Sequence, residues 1–343
     1  MKKISLSMRG VAQAGLLSVF LCGTLPATAA DTLPSLHAAA ERTSVSGLSS
    51  GGFMAVQYSV AFSSSLKGVG VVAGGPYNCA FLTLGGISAC MGGAPSGEAS
   101  WLSAQGFAAL GQIDPSQGIA KLKVYVFSGT KDETVVPTAA KATRDFYAAA
   151  GVPPGNLSFV STMPAGHAFI APDFGHSCGA TEPPYITHCT VKKARYDQPQ
   201  AIFKQIYGPL KPAAKVLSRT VRPFDQREFG GAETGLDGVG FYYLPQSCAE
   251  DSSQCSVHVV FHGCEQGAGA VGSDVYARVG YNRWADANQI IVLYPQIVPT
   301  SPAPFNPKGC WDWWGYSSLG FQVRSGPQMR AVKAMVDRLT NKS

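Results

Sequence analysis

Short apolar stretches rich in β-branched residues alternate along the chain with longer stretches of helical periodicity. The apolar stretches predict strands at 43–45, 69–73, 123–127, 157–160, 240–244, 257–261 and 290–294. The stretches between them predict helices at 51–62, 138–150, 199–207, 274–288 and 326–339. Strands that alternate with helices are typical of an α/β fold with a mainly parallel sheet flanked by helices.

The first thirty residues follow a different pattern. Basic residues at positions 2, 3 and 9 precede an apolar run at 15–21, and small residues follow at 27–30. This order predicts a secretory signal at 1–30 that is removed after Ala29 or Ala30. The apolar run is shorter than the roughly 20 residues that span a bilayer. We therefore expect a secreted product, extracellular or periplasmic, without stable membrane insertion.

Residues 31–343 show no internal repeat and no linker rich in Ser, Thr or Pro, so they predict a single domain. The formal net charge of the whole chain is +6. Three basic residues and no acidic ones lie in the predicted signal, which leaves about +3. This charge is too low to predict a nucleic-acid-binding surface. The sequence does not determine the oligomeric state, and a monomer is the simplest expectation.

Eight of the nine cysteines remain once Cys22 is removed with the signal. An even number in an exported chain predicts disulfides. Closeness in the sequence favours three pairs and leaves a fourth, although many other pairings are possible. The expected pairs are Cys79 with Cys90, Cys178 with Cys189, Cys248 with Cys255, and Cys264 with Cys310. No CxxC pair is present, so we expect no metal site.

A G-x-S-x-G motif lies between the first predicted strand and the first predicted helix. The segment 43–54 reads TSVSGLSSGGFM, with Ser49 at the centre of the motif. A strand, this motif and a helix in succession are the context of a nucleophile elbow, where glycines allow a tight turn that exposes the serine Oγ. Ser49 is therefore the predicted nucleophile.

A serine hydroxyl needs a histidine base, and that histidine needs a carboxylate to orient it. In hydrolases with such an elbow these residues follow in the order Ser, Asp, His, each after its own strand. Asp132 follows the strand at 123–127, and His167 follows the strand at 157–160. The sequence therefore predicts a Ser49, Asp132 and His167 triad.

Neighbouring residues offer alternatives for two of these roles. Glu133 adjoins Asp132 and could serve as the acid. His176 and His262 are the rivals for the base, although the Gly-His-Ala-Phe setting just after a strand favours His167.

Acyl transfer also needs two backbone N–H groups that stabilise the developing oxyanion. The first comes from the residue after the nucleophile, here Ser50. The strand at 257–261 ends in a His-Gly motif of the kind found at oxyanion holes, so the amide of Cys264 is the predicted second donor. The alternative is a plain turn in which His262 packs in the core.

The order of these segments is unusual. The oxyanion strand normally precedes the elbow, whereas here it follows by more than two hundred residues. This order indicates a circularly permuted sheet, in which the strand at 43 would ordinarily follow the helix at 326–339. Such a permutation is tolerable because the ends of a compact domain are often close together.

Together these motifs resemble the single-domain extracellular poly(3-hydroxybutyrate) depolymerases, whose α/β-hydrolase fold is circularly permuted. The motifs are GLSSGG at 47–52, VAGGPY at 72–77, SGTKD at 128–132, GHAF at 166–169, HGC at 262–264 and GCWDWW at 309–314. They extend over nearly all of 31–343. The resemblance implies the same triad, with Ser50 and Cys264 as the oxyanion donors.

The resemblance also implies an aromatic rim formed by Trp311, Trp313 and Trp314. These side chains would hold an aliphatic ester chain in a surface crevice, but packing in the core beneath a disulfide at Cys310 fits the sequence equally well. Larger depolymerases carry linkers and binding modules that are not visible in this sequence, which leaves adsorption to solid polymer open.

The predicted activity is hydrolysis of poly(3-hydroxybutyrate) or a related aliphatic polyester through an acyl-enzyme, without a cofactor. The alternative is a secreted esterase that removes feruloyl or acetyl groups from polysaccharide, because related folds share the triad and the elbow. A third interpretation is a non-catalytic polymer-binding protein that keeps the fold. The complete triad argues against the third interpretation.

Overall fold

The computed structural model describes residue 3 and residues 30–93 and 95–340, so almost all of the predicted signal at 1–30 lies outside the described residues. The strands are β1 Thr43–Leu48, β2 Leu66–Val72, β3 Lys123–Phe127, β4 Leu157–Val160, β5 Phe169–Ile170, β6 His176–Ser177, β7 Ile186–His188, β8 Thr190–Val191, β9 Ala194–Arg195, β10 Arg222–Asp225, β11 Val239–Tyr243, β12 Ser256–Phe261 and β13 Ile290–Tyr294. The α-helices are α1 Ser50–Ala61, α2 Cys79–Leu82, α3 Gly86–Gly92, α4 Gly97–Ala109, α5 Pro137–Ala149, α6 Gln198–Tyr207, α7 Gln246–Glu250, α8 Ala268–Val271, α9 Tyr281–Ala287 and α10 Pro327–Thr340.

Eight strands form the central sheet, in the order β10-β11-β13-β12-β1-β2-β3-β4. Every neighbouring pair from β13 to β4 is parallel, and β11 is antiparallel to both of its neighbours. This arrangement confirms the predicted α/β fold with a mainly parallel sheet. The carboxyl ends of the parallel strands share one edge, which is where the predicted triad and the oxyanion loop begin.

Alternate residues of the strands build two separate cores, one on each face of the sheet. In β3, Val124 and Val126 belong to one cluster, whereas Tyr125 and Phe127 belong to the other. Successive side chains of a strand point to opposite faces, so an apolar strand buried on both sides contributes to both clusters. Helix α1 follows β1 directly, and every one of its residues is buried.

The two ends of the described chain meet, as the predicted permutation requires. The amide of Leu36 donates to the carbonyl of Arg338 at 3.1 Å, and the amide of Ala38 donates to the carbonyl of Leu339 at 3.1 Å. The segment before β1 is therefore joined to the end of α10. In space, β12 lies directly beside β1 although more than two hundred residues separate them.

Three differences from the predicted elements have local causes. The helix predicted at 274–288 is divided into a π-helical turn and α9, because Gly280 between them has a left-handed φ of 115°. Helix α4 was not predicted because its buried positions are the small residues Gly97, Ser100 and Ala104, which form no apolar stripe. Strand β10 was not predicted because it contains Pro223. A strand tolerates proline only at the edge of a sheet, which is where β10 lies.

Four disulfides link the loops around the sheet. They join Cys79 to Cys90, Cys178 to Cys189, Cys248 to Cys255 and Cys264 to Cys310, the same pairs as the sequence suggested. Within the described ranges, none of the helices combines the length and the apolar character that a membrane crossing requires.

Candidate active site

Ser49 lies in a strained turn between β1 and α1. Its φ of 57° and ψ of −123° are unusual for a residue with a side chain, and such a conformation costs on the order of 1–3 kcal/mol. The turn is held at both ends, because the Ser49 amide donates to the carbonyl of Val72 at 3.0 Å and the Ser49 carbonyl accepts from the amide of Phe53 at 2.9 Å. This geometry is that of a nucleophile elbow.

The two glycines of the motif allow the end of β12 to approach the elbow closely. A Cβ atom on Gly51 would lie 2.3 Å from the carbonyl oxygen of Phe261 and 2.5 Å from that of His262. A Cβ atom on Gly47 would lie 2.3 Å from the carbonyl oxygen of Gly51. Larger residues at either position would push the elbow away from the loop that follows β12.

The predicted acid and base are in direct contact. The Nδ1 atom of His167 lies 2.8 Å from Oδ2 of Asp132. The other carboxylate oxygen, Oδ1, accepts from the amides of Thr134 and Val135, each at 2.9 Å. Both partners are buried, since Asp132 is 2% exposed and His167 is 5% exposed. The carboxylate is therefore fixed on the side of the imidazole remote from Nε2.

The rival residues are placed elsewhere. Glu133 is exposed. His176 bonds through Nε2 to the carbonyl of Pro183 at 2.8 Å and lines a different groove. His262 is buried in the loop after β12, where its two ring nitrogens have backbone partners.

These partners give His262 a defined position in the loop after β12, which holds the predicted oxyanion donor. Its Nδ1 donates to the carbonyl of Gly263 at 2.7 Å, and its Nε2 accepts from the amide of Ile297 at 3.1 Å. The pattern requires a neutral imidazole, and burial lowers the pKa of His262 to about 4. Because the C=O and N–H of a trans peptide point in opposite directions, this bond turns the amide of Cys264 away from His262.

Gln266 ties the same loop to the segment beyond His167. Its Oε1 accepts from the amide of Gly263 at 2.8 Å, and its Nε2 donates to the carbonyls of Pro184 at 2.7 Å and Tyr185 at 3.1 Å. The side chain is 1% exposed. With the Gly263 amide occupied, the next amide is that of Cys264, which meets no acceptor within residues 30–93 and 95–340.

A cavity of about 400 Å³ brings these groups together. Ser49, His167 and Cys264 all line it, and Ser50 begins α1 beside them with an amide that has no acceptor within the helix. The remaining lining residues are Leu48, Met91, Thr134, Thr181, Tyr185, Gly263, Glu265, Gln266 and Lys308. In the part of the chain that the structure describes, no cluster of three or more His, Cys, Asp or Glu side chains is arranged to hold a metal ion.

Comparison with known proteins identifies the family of the chain. The chain is 36% identical over 332 residues to a polyhydroxybutyrate depolymerase of Talaromyces funiculosus, covering 91% of this chain and 94% of the relative. The chain belongs to the poly(3-hydroxybutyrate) depolymerase family. A second member, from Delftia acidovorans, is 41% identical over 328 residues. That match covers 94% of this chain but only 64% of the length of the relative. No protein-family model matches the chain.

Solved depolymerase structures have the same fold. A PHB depolymerase from Penicillium funiculosum is 35% identical with a TM-score of 0.82. A PHB depolymerase complexed with an R3HB trimer is 34% identical with a TM-score of 0.83. Each match covers 90% of this chain and 98% of the other. These matches confirm both the predicted fold and the resemblance found in the sequence.

Two of the three tryptophans lie in the core rather than in an aromatic rim of the kind that the depolymerase resemblance implied. Trp311 is 0% exposed and packs against Phe261, and Trp313 is 4% exposed and stacks on Phe53 with ring centroids 4.0 Å apart. Trp314 is partly exposed, and none of the three lines the cavity. Of the two alternatives that the sequence left open, packing in the core holds for Trp311 and Trp313, because their segment passes beneath the elbow, where the Trp311 amide donates to Ser50 Oγ at 3.3 Å.

Several lining residues of this depolymerase-family site were not predicted. Gln266, Tyr185, Glu265 and Lys308 lie on loops between the regular elements. The sequence carries no periodic signal at these positions, and only the neighbouring HGC motif could have drawn attention to the loop at 262–266.

Proposed function

We propose that this chain is a secreted serine esterase that hydrolyses the ester bonds of poly(3-hydroxybutyrate) or a related polyester. The observation that carries the proposal is the shared cavity of Ser49 and His167, with Asp132 hydrogen-bonded to His167 at 2.8 Å. In this proposal residues 31–343 form one catalytic domain that follows a signal at 1–30.

The first half of the reaction forms an acyl-enzyme. Ser49 Oγ attacks the ester carbonyl carbon while its proton moves to Nε2 of His167. The Asp132 carboxylate accepts a hydrogen bond from the Nδ1–H group of His167 and stabilises the imidazolium. The negative oxygen of the tetrahedral intermediate accepts hydrogen bonds from the amides of Ser50 and Cys264. When the intermediate collapses, the carbon–oxygen bond to the next polymer unit breaks, and His167 gives its proton to the departing alkoxide oxygen, which leaves as a hydroxyl.

The second half releases the acid. His167 removes a proton from water, whose oxygen attacks the acyl carbonyl, and the same two amides stabilise the second oxyanion. Collapse breaks the bond to Ser49 Oγ, and the proton on His167 restores the serine hydroxyl. The products are a carboxylic acid and an alcohol, so the cycle needs only water besides the ester.

The names of the relatives and the lining of the cavity support a polyester substrate. Four members or structures of the family are described as poly(3-hydroxybutyrate) depolymerases, and one of them holds an R3HB trimer. A polyester is uncharged between its ends. The cavity offers apolar contacts from Leu48 and Met91 and hydroxyl groups from Thr134, Thr181 and Tyr185.

An exposed apolar patch supports direct contact with solid polymer. Phe81, Leu82, Leu84 and Ile87 lie on α2, α3 and the turn between them, and Leu84 is 100% exposed. Met91, on α3 with Ile87, lines the cavity. We assign this patch, 81–87, to adsorption on solid polymer, since four exposed large apolar side chains within seven residues exceed the scattered single ones that are usual on a protein surface.

Secretion is part of the proposal. The sequence of 1–30 supports it, as do four disulfides, which form and persist in oxidising compartments.

The test is turnover of three substrates by purified protein: a poly(3-hydroxybutyrate) suspension, feruloylated polysaccharide and short nitrophenyl esters. We expect clearing of the suspension, labelling of Ser49 by a phosphonate, and loss of nearly all turnover in Ser49→Ala and His167→Ala but not in His176→Ala. Cleavage of the short esters alone would contradict the polyester assignment, and labelling at Ser50 would reassign the nucleophile.

A further inference from the structure

A second cavity adjoins the catalytic one. It measures about 170 Å³ and is lined mainly by small or apolar residues, which are Gly267, Gly269, Ala270, Ile297, Val298 and Pro299. Glu265 and Lys308 line both cavities, so the two spaces meet at these side chains. We name the second cavity the 267–299 groove.

Glu265 and Lys308 form a ridge between the two cavities. Its base is a backbone hydrogen bond of 2.7 Å from the amide of Glu265 to the carbonyl of Lys308. Above it, Lys308 Nζ lies 3.3 Å from Glu265 Oε2. The side chains of Lys308 and Glu265 are 64% and 44% exposed, and ion pairs exposed to this degree are weak and easily rearranged. A flexible chain can therefore cross the ridge when these side chains move aside.

The chemistry of the ridge matches that of a polyester. Every ester group of such a chain offers hydrogen-bond acceptors and no donors. Lys308 carries three donor hydrogens, of which Glu265 engages one, and the hydroxyl of Tyr185 donates to the same Glu265 carboxylate at 3.2 Å. Beyond the ridge, the glycines and Ala270 leave room for the methyl branches of an aliphatic chain.

The backbone of Glu265 also suggests that the ridge is a built feature. Glu265 has a left-handed φ of 58°, which is unfavourable for a residue with a side chain. The residue directly follows Cys264, the proposed oxyanion donor. The conformation brings the carboxylate to the boundary of the two cavities, where it accepts hydrogen bonds from Tyr185 and Lys308.

We infer that the 267–299 groove is a subsite for further units of the polyester chain whose scissile ester lies at Ser49. The inference rests on the proposed function, because it extends the same substrate past Glu265 and Lys308. Binding at units remote from the reacting carbonyl raises kcat/KM for longer chains without affecting esters too short to reach the groove.

The experiment fills the groove and varies the length of the substrate. Ala270 is exposed, so Ala270→Trp can occupy the groove without disturbing the core. Ala249→Trp is the matched control, because Ala249 is an exposed alanine on α7, which precedes β12 at the opposite edge of the sheet. The substrates are soluble (R)-3-hydroxybutyrate oligomers from dimer to pentamer, with nitrophenyl butyrate as the short ester.

For wild type and Ala249→Trp we expect kcat/KM to rise with oligomer length. For Ala270→Trp we expect a loss of about tenfold on the pentamer, since binding to remote units is removed. Nitrophenyl butyrate should be cleaved at an unchanged rate. Lys308→Met, which keeps the aliphatic stem but removes the donors, should lower kcat/KM on the pentamer by about threefold, the scale of one lost hydrogen bond.

An unchanged length dependence in Ala270→Trp would overturn the subsite while leaving the proposed function intact. An equal loss on nitrophenyl butyrate would also overturn it, because the substitution would then act on the catalytic cavity. Wild-type protein that cleaves nitrophenyl butyrate but no oligomer would instead contradict the proposed substrate itself.

Discussion

The side chain of Gln266 accepts a hydrogen bond of 2.8 Å from the amide of Gly263, one residue before the proposed oxyanion donor. Gln266→Leu removes this bond and both bonds to the segment at 184–185. We expect kcat to fall by about 10–100-fold, with a smaller change in KM, because the loss of a positioned oxyanion donor acts on the transition state. Steady-state kinetics on a short nitrophenyl ester measure this effect.

The matched control for this change is Gln226→Leu. Gln226 is 0% exposed and also makes three hydrogen bonds, to the backbone of Asp237 and Gln296. Its loss should lower the melting temperature to a similar degree with little change in kcat. An equal loss of kcat in both variants would show that Gln266 acts through stability alone.

Asp132→Asn tests the orientation of His167. The amide keeps the shape of the carboxylate but offers an N–H to Nδ1, which favours the wrong tautomer of the imidazole. We expect kcat to fall by about 10⁴-fold, the effect of the same change in trypsin-like triads. Glu133→Gln should retain nearly full turnover because Glu133 is exposed. A mild effect of Asp132→Asn, with a severe one of Glu133→Gln, would reassign the acid.

The disulfide between Cys264 and Cys310 should support both stability and turnover. It closes a separation of 46 residues, worth about 4 kcal/mol in the chain-entropy model. It also anchors the residue whose amide is the proposed oxyanion donor. We expect Cys264→Ser with Cys310→Ser to lower the melting temperature and the turnover of short esters together.

The control is Cys248→Ser with Cys255→Ser. That disulfide lies before β12, at the edge of the sheet remote from Ser49. Its removal should lower the melting temperature and spare kcat. Full turnover of the Cys264 and Cys310 double variant would show that the disulfide does not position the amide of the proposed oxyanion donor.

Two buried histidines predict a loss of stability in mild acid. Burial lowers the pKa of His258 to about 3 and that of His262 to about 4. The unfolded chain binds these protons near the ordinary value of about 6.5. Between these values the unfolded state carries more protons, so the free energy of unfolding decreases as the pH falls below about 6.5.

Urea unfolding at pH 7, 6 and 5 measures this decrease in a range where ordinary carboxyl groups stay ionised. A free energy of unfolding that stays constant from pH 7 to pH 5 would contradict the prediction.

The apolar patch at 81–87 should bind solid polymer. Leu84→Ser with Phe81→Ser removes exposed apolar area, since these side chains are 100% and 48% exposed. We expect less protein to co-sediment with poly(3-hydroxybutyrate) granules, and unchanged rates on short soluble esters. Leu110→Ser, which alters a 72% exposed leucine at the end of α4, is the control. If wild type, the double variant and Leu110→Ser co-sediment with the granules to the same extent, the patch does not contribute to adsorption.

The sequence alone determined the elements whose signals are local. Strand β3 was predicted with the bounds that the structure has, because an apolar run of β-branched residues needs no distant partner to be recognised. The order of Ser49, Asp132 and His167 was readable for a similar reason. Each lies just after a predicted strand, and parallel strands bring their carboxyl ends to one edge of the sheet.

Only the tertiary structure decided which loop residues meet there and which aromatic side chains are buried. Gln266 contacts Pro184 and Tyr185 across more than eighty residues, and Trp311 lies beneath Ser50, 261 residues away. Such contacts depend on the paths of irregular loops, which have no periodicity to read. The sequence left the positions of the tryptophans undecided because a short aromatic run fits a crevice and a core equally well, and only the packing of distant segments distinguishes the two.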